Sequence, residues 1–385
     1  MDEYNDIRSL FQPTFGNNET MMKKLLLVAL LIVLPLTIWA GKVTREQALK
    51  TAMVFMSGKS FKTVDYFTRS RGTSQNASDM PFYVFNAAEG GFVIVSGDDR
   101  AREILGYSPT DALDLDNLPA NLRWWLDEYA RQITALGTST ASVKKSSDLS
   151  MAADISPLIH TAWDQGAPYN YMCPDGNGKD YYESGYDVDN RCLTGCTATA
   201  MAQVMNYWKW PESCPSLEAY SCGFNVRRLP STKFKWDMMK NNYYNNETGD
   251  AADAVAELMR YCGQAVEMYY STSASGGDFS KKVMAETFDY SRSMNRINRD
   301  KYNQEDWENI IYNELAEGRP VLYSGTSYNG SHVFIVDGYN RGLFHINWGW
   351  GGLSNFYFCC LQPTLINLVL TGLQVIMDTD TIRMP

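Results

Sequence analysis

Apolar and polar positions follow different rhythms along this chain, and each change of rhythm marks a part. Residues 22–40, MKKLLLVALLIVLPLTIWA, begin with Lys23 and Lys24 and run unbroken and apolar from Leu25 to Trp39 before Ala40 and Gly41. A run of that length falls short of the roughly 20 residues a membrane-spanning helix needs. It reads as a secretory signal peptide cut after Ala40. Residues 1–21 are acidic and polar, unlike the start of a signal, and read as a mis-called start with Met21 or Met22 as initiator. No lipobox cysteine follows, so no stable membrane anchor is expected. Helical spacing comes next: Thr44 and Gln47 in KVTREQALKTAMVFM make a capping-box pattern. PFYVFNAAEGGFVIVSGDD then reads as two strands joined by a turn at Glu89-Gly90-Gly91. In LPANLRWWLDEYARQITAL, Leu122, Trp125, Tyr129 and Ile133 share one helical stripe. A small α+β domain over 41–136 follows. Residues 137–154 are Ser/Thr/Ala-rich, carry Lys144 and Lys145 and show no apolar period, the mark of a cleavable linker.

Beyond 155 the composition shifts toward Tyr, Trp, Gly, Asn and Cys. All eight cysteines and all three histidines (His160, His332 and His345) lie there, so the first domain has neither thiol nor imidazole. The full 385 residues hold two domains, and 45% hydrophobic content supplies a core. A net charge of −10 argues against nucleic acid or anionic lipid as main partner. There is no paired CxxC pattern, so no metal and no cofactor is implied. Export permits disulfides. Cys173/Cys192 and Cys214/Cys222 are the close pairs, and spacing leaves their connectivity open.

The stretch GCTATAMAQVMNYW (195–208) predicts a buried helix, with Met201, Val204, Met205 and Trp208 on a stripe and small alanines between. Cys196 stands at its N-terminus, where unpaired N–H groups and the dipole lower a thiol pKa. The stretch alone is equally compatible with an inert core thiol. A nucleophilic cysteine needs a base. His332, in GSHVFIVDGYN, follows Cys196 by 136 residues, within the papain-like window. FHINWGWGG then brings Asn347, Trp348 and Trp350, an amide and indoles of the kind that orient and shield an imidazole. Gln165, in the loop WDQGAPYN, is an amide suited to an oxyanion hole with the Cys196 N–H.

WDQGAPYN, TGCTATAMAQVMNYW, GSHVFIVDGYN and HINWGWGG, in that order, resemble the streptopain family of secreted bacterial cysteine proteases, and FYVFNAAEGGFVIVSGDDRAREILGYS resembles its propeptide. The resemblance covers about 41–352. It implies an α+β fold: a papain-like domain over 155–385, with a helical half packed on a twisted antiparallel sheet, behind a small pro-domain. It implies Cys196 as nucleophile, His332 as acid/base and Gln165 as oxyanion donor, with Asn347 or Trp348 orienting the imidazole. STSASGG matches a loop of the substrate cleft, giving Ser275 and Gly276, with Ser331 and Trp350 beside them as substrate-binding positions. The expected partners are protein or peptide substrates and the chain's own propeptide, an intramolecular inhibitor, in a secreted or periplasmic monomer. After about Asn355 the tail departs from the family, and the last strand of the sheet is expected to be missing. Rival readings are a pseudo-protease acting as a binding or inhibitor module, and a transglutaminase or cell-wall amidase using the same Cys–His pair.

Overall fold

The computed structural model describes residues 41–64, 66, 80–136, 152–180, 186, 190–327, 330–360 and 374–377. The expected signal peptide, the start before it, and most of the linker and tail lie outside these residues. One ten-stranded sheet organises the rest. Its strands are β1 (Phe61–Val64), β2 (Phe82–Ala87), β3 (Phe92–Ser96), β4 (Ile104–Ser108), β5 (Asn295–Asn298), β6 (Val321–Ser327), β7 (Gly330–Asn340), β8 (Leu343–Asn347), β9 (Tyr357–Phe358) and β10 (Gln374–Met377). Across the sheet they run β1-β2-β3-β4-β9-β8-β7-β6-β10-β5, and every pairing is antiparallel. The helices are α1 (Arg45–Phe55), α2 (Ala120–Leu136), α3 (Cys196–Trp208), α4 (Asp250–Ala265), α5 (Lys281–Thr287) and α6 (Gln304–Ala316). This is the expected α+β architecture.

Local signals behave as the sequence predicts. Thr44 and Gln47 close a reciprocal capping box at the start of α1, an arrangement that stabilises a helix start by about 1 kcal/mol. The β2–β3 hairpin turns through Gly90, whose φ of +87° and closeness to the Thr110 carbonyl leave no room for a Cβ. Leu122, Trp125, Tyr129 and Ile133 of α2 are all buried.

Strands β6 and β7 separate two cores by the period-two alternation of a pleated sheet. Val321 and Tyr323 of β6, with Phe334 and Val336 of β7, face the core shared with α2 and α6. Leu322, Val333 and Ile335 face the core built on α3 and α4. The first of these cores crosses between the expected domains. Tyr107 and Gly106 of β4 pair with Tyr357 and Phe358 of β9, so the four N-terminal strands extend the sheet of the C-terminal part. An ion pair from Arg102 to the buried Glu308 (2.9 Å) and a stack of the Arg341 guanidinium 3.9 Å over the Phe55 ring fasten the same seam.

One expectation is corrected, and one point left open by the sequence is decided. The tail does supply a strand: β10 lies between β6 and β5, with Leu322 opposite Ile376 and Val375 opposite Ile297. A strand of four residues is too short to set an apolar period of its own. Cys173, Cys192, Cys214 and Cys222, the close pairs in sequence, are free thiols, as are the other four cysteines.

Candidate active site

Cys196 opens α3 because the residue before it turns sharply. Gly195 has φ +86°, and a Cβ there would stand 2.7 Å from Met268 Sδ and 3.0 Å from the Ser275 carbonyl. Only glycine fits both the conformation and the space. Behind it, Thr197 through Asn206 are buried, which fixes the helix and so the thiol at its tip.

His332 reaches the thiol from β7. Its Nε2 lies 3.0 Å from the Trp348 carbonyl. A carbonyl only accepts, so Nε2 carries the proton and Nδ1 is left to take one from the thiol. The Val333 N–H donates to Cys196 Sγ at 3.4 Å. Burial raises the thiol pKa, but the His332 charge, a hydrogen bond with its ring, the Val333 N–H and Thr197 outweigh it and bring the group down to about 7. Burial drives Cys173, Cys192, Cys214, Cys262, Cys359 and Cys360 the other way.

The imidazole is packed among rings. Trp350 stacks on it at 6.0 Å and 10°, Phe334 lies at 6.2 Å and 16°, and Trp348 is tilted at 6.2 Å. Of the two residues left open as its orienter, Trp348 holds it, through the backbone. The Asn347 side chain is engaged elsewhere: Nδ2 donates to the Thr161 carbonyl (2.9 Å) and Gln203 Oε1 (3.2 Å), while Oδ1 accepts from Gln203 Nε2 and the Gly349 N–H.

Gln203, missed from sequence, joins these parts. It sits fully buried on α3, and its Oε1 also accepts from Thr161 Oγ1 (2.9 Å) and the Trp163 N–H (3.4 Å). One amide thereby links the Cys196 helix, the loop toward Gln165 and the turn that carries Trp348. Gln165 is buried, and its carbonyl accepts from the Thr194 N–H, two residues before Cys196, at 3.0 Å. The Gly351 N–H bonds to the Trp163 carbonyl at 3.0 Å, bringing the loop against the tryptophan turn.

The expected cleft residues divide. Ser275 is buried and closes its own loop, accepting from the Ser271 N–H and donating to the Ser271 carbonyl. Gly276 is exposed, with open space where a Cβ would stand, but its N–H and carbonyl both pair with Tyr269. Ser331 is exposed beside His332, and Trp350 is half-buried over the imidazole.

Residues 163–358 match the Peptidase C10 family and residues 40–133 match the Spi protease inhibitor family. The chain belongs to the peptidase C10 family. Among similar proteins, the thiol protease/hemagglutinin PrtT of Porphyromonas gingivalis is 33% identical over 87% of this C10 chain. Streptopain of Streptococcus pyogenes is 32% identical over 80% of it. The chain spans 40% of the length of PrtT and 80% of that of streptopain. A prointerpain A fragment from Prevotella intermedia superposes with a TM-score of 0.65 at 29% identity, covering 82% of this chain and 98% of that one. The papain-like fold behind a pro-domain is therefore that of a C10 precursor.

Proposed function

We propose that this chain is an exported cysteine endopeptidase made as a zymogen. Its pro-domain spans 41–136, its activation linker 137–154 and its catalytic domain 155–385. The observation that carries the reading is the Cys196 thiol, half-buried at a helix N-terminus and lowered to about 7 by His332. The thiolate attacks a peptide carbonyl, and the carbon–nitrogen bond breaks as the imidazolium gives its proton to the leaving amine. Water, deprotonated by the same imidazole, then hydrolyses the thioester. The Gln165 amide and the Cys196 N–H serve the developing oxyanion. The Trp348 carbonyl keeps the imidazole in the tautomer that faces the thiol, and Asn347 braces the turn behind it. The Spi-type pro-domain acts as the intramolecular inhibitor until the linker is cut.

Cys196→Ala tests this directly. The full-length variant is expected to persist as an intact precursor, whereas wild type converts to a smaller form that an epoxide inhibitor labels. A purified variant that still matured would exclude Cys196 as the nucleophile.

A further inference from the structure

The loop that carries Trp348 and Trp350 is closed at its neck by one side chain. Residues 348–355 leave β8 and return to β9, and beside those strands the Ile346 N–H still bonds to the Phe356 carbonyl at 3.0 Å. Just beyond that bond, the Trp348 N–H donates to Asn355 Oδ1 at 3.0 Å. A backbone N–H only donates, so the Asn355 amide presents its oxygen there. Past the neck, Gly349, Gly351 and Gly352 have φ of +74°, +61° and +84°, and glycine adds no stiffness of its own. The Gly349 N–H bonds back to Asn347 Oδ1 (3.1 Å) and the Leu353 N–H to the Trp350 carbonyl (2.9 Å), short contacts that travel with the loop. The Gly351 N–H ties its far side to Trp163. Asn355 joins its two ends. The same loop meets the His332 imidazole twice, with the Trp348 carbonyl 3.0 Å from Nε2 and the Trp350 ring stacked at 6.0 Å. Trp348 therefore has its N–H on Asn355 and its carbonyl on His332.

We propose that Asn355 is a positioning residue for the Cys196–His332 pair: by holding the Trp348 N–H across the neck of the loop, its amide oxygen sets where the Trp348 carbonyl meets the imidazole. The inference rests on that pair being the reactive one. Asn355 acts through Trp348 rather than on the reacting atoms. Trp348 is 1% exposed, so without the Asn355 oxygen its N–H is left unpaired and away from water. The residue then turns to find a partner, and its carbonyl turns with it. The hold on Nε2 weakens, His332 offsets the burial of the thiol less well, and Cys196 moves back toward its ordinary titration range.

The test is the pH dependence of iodoacetamide alkylation at Cys196 in enzyme released from the full-length chain. It is followed by intact mass, so that a variant which does not mature alone can be cut by a trace of wild type and still be read separately. The wild-type enzyme should titrate near pH 7. In Asn355→Ala the midpoint should rise by about half to one pH unit, the span of one lost hydrogen bond. Asn355→Asp, which keeps an oxygen for the Trp348 N–H, should restore the wild-type midpoint. A denaturant titration of each variant separates positioning from mere support of the fold. An Asn355→Ala enzyme that loses stability and keeps the wild-type midpoint overturns the inference. So does a midpoint that rises equally in Asn355→Asp. His332→Ala separates this from failure of the underlying assignment: if removing the imidazole leaves the midpoint at 7, the pair itself is wrong.

Discussion

Two thiol regions of this molecule have opposite characters. Cys196 opens a helix, remains half-buried, and has an imidazole and a backbone N–H aimed at its sulfur. Cys359 and Cys360 lie fully under the pro-domain seam. There the Tyr129 hydroxyl is 3.2 Å from the Cys359 sulfur, burial pushes that thiol up to about 11, and Glu308 raises both. At pH 7 the first is about half thiolate, while Cys359 is ionised in about one molecule in 10⁴. Arginines stand near the second pair too, so positive charge alone does not make a reactive cysteine. What differs is a partner that can take the proton, together with a path to solvent.

The sharpest way to erase the difference is to remove the imidazole. His332→Ala takes away the charge and hydrogen bond that offset burial, so Cys196 should titrate above its ordinary value near 9. Ionisation alone then costs about 10²-fold in alkylation rate at pH 7. Peptide turnover should fall by roughly 10⁴, because the leaving amine also loses its acid. In the wild type, acidification protonates the reactive form, so the alkylation rate should drop about tenfold per unit below pH 7. A flat profile between pH 5 and 7 would contradict the lowered thiol.

Gln165→Ala should act on only one step. Alkylation forms no oxyanion, so its rate should hold, while kcat for a peptide substrate should fall by about 10²–10³. Equal losses in both would mean that Gln165 serves to hold the loop whose carbonyl meets the Thr194 N–H.

Much of this was legible in the chain because it is local. The capping box, the Gly90 turn, the α2 stripe and the buried α3 all follow from spacing, and the order of Gln165, Cys196, His332 and Asn347 from motif. The β4–β9 pairing was not, because it joins residues some 250 apart through two short strands with no local signal of partner. Trp125 was visible as a buried stripe position, yet a stripe says which side is covered and not what covers it. The amide of Asn347 drew the expectation of an orienting role. In the structure it is its neighbour's carbonyl that meets the imidazole, a group every residue carries and no sequence pattern marks.

That last distinction yields the smallest and most discriminating effect. Asn347→Ala strands buried groups of Gln203 and Thr161, at a cost of about 1–3 kcal/mol in a denaturant titration. The Trp348 carbonyl stays, so the Cys196 midpoint should remain near 7 and turnover should fall by less than about tenfold, one 1.4 kcal/mol step in barrier. A midpoint that instead rose as far as in His332→Ala would return the imidazole to the asparagine. It would make the 3.0 Å contact to Trp348 incidental. Because stability and titration are measured separately, brace and orienter give different signatures in the same variant.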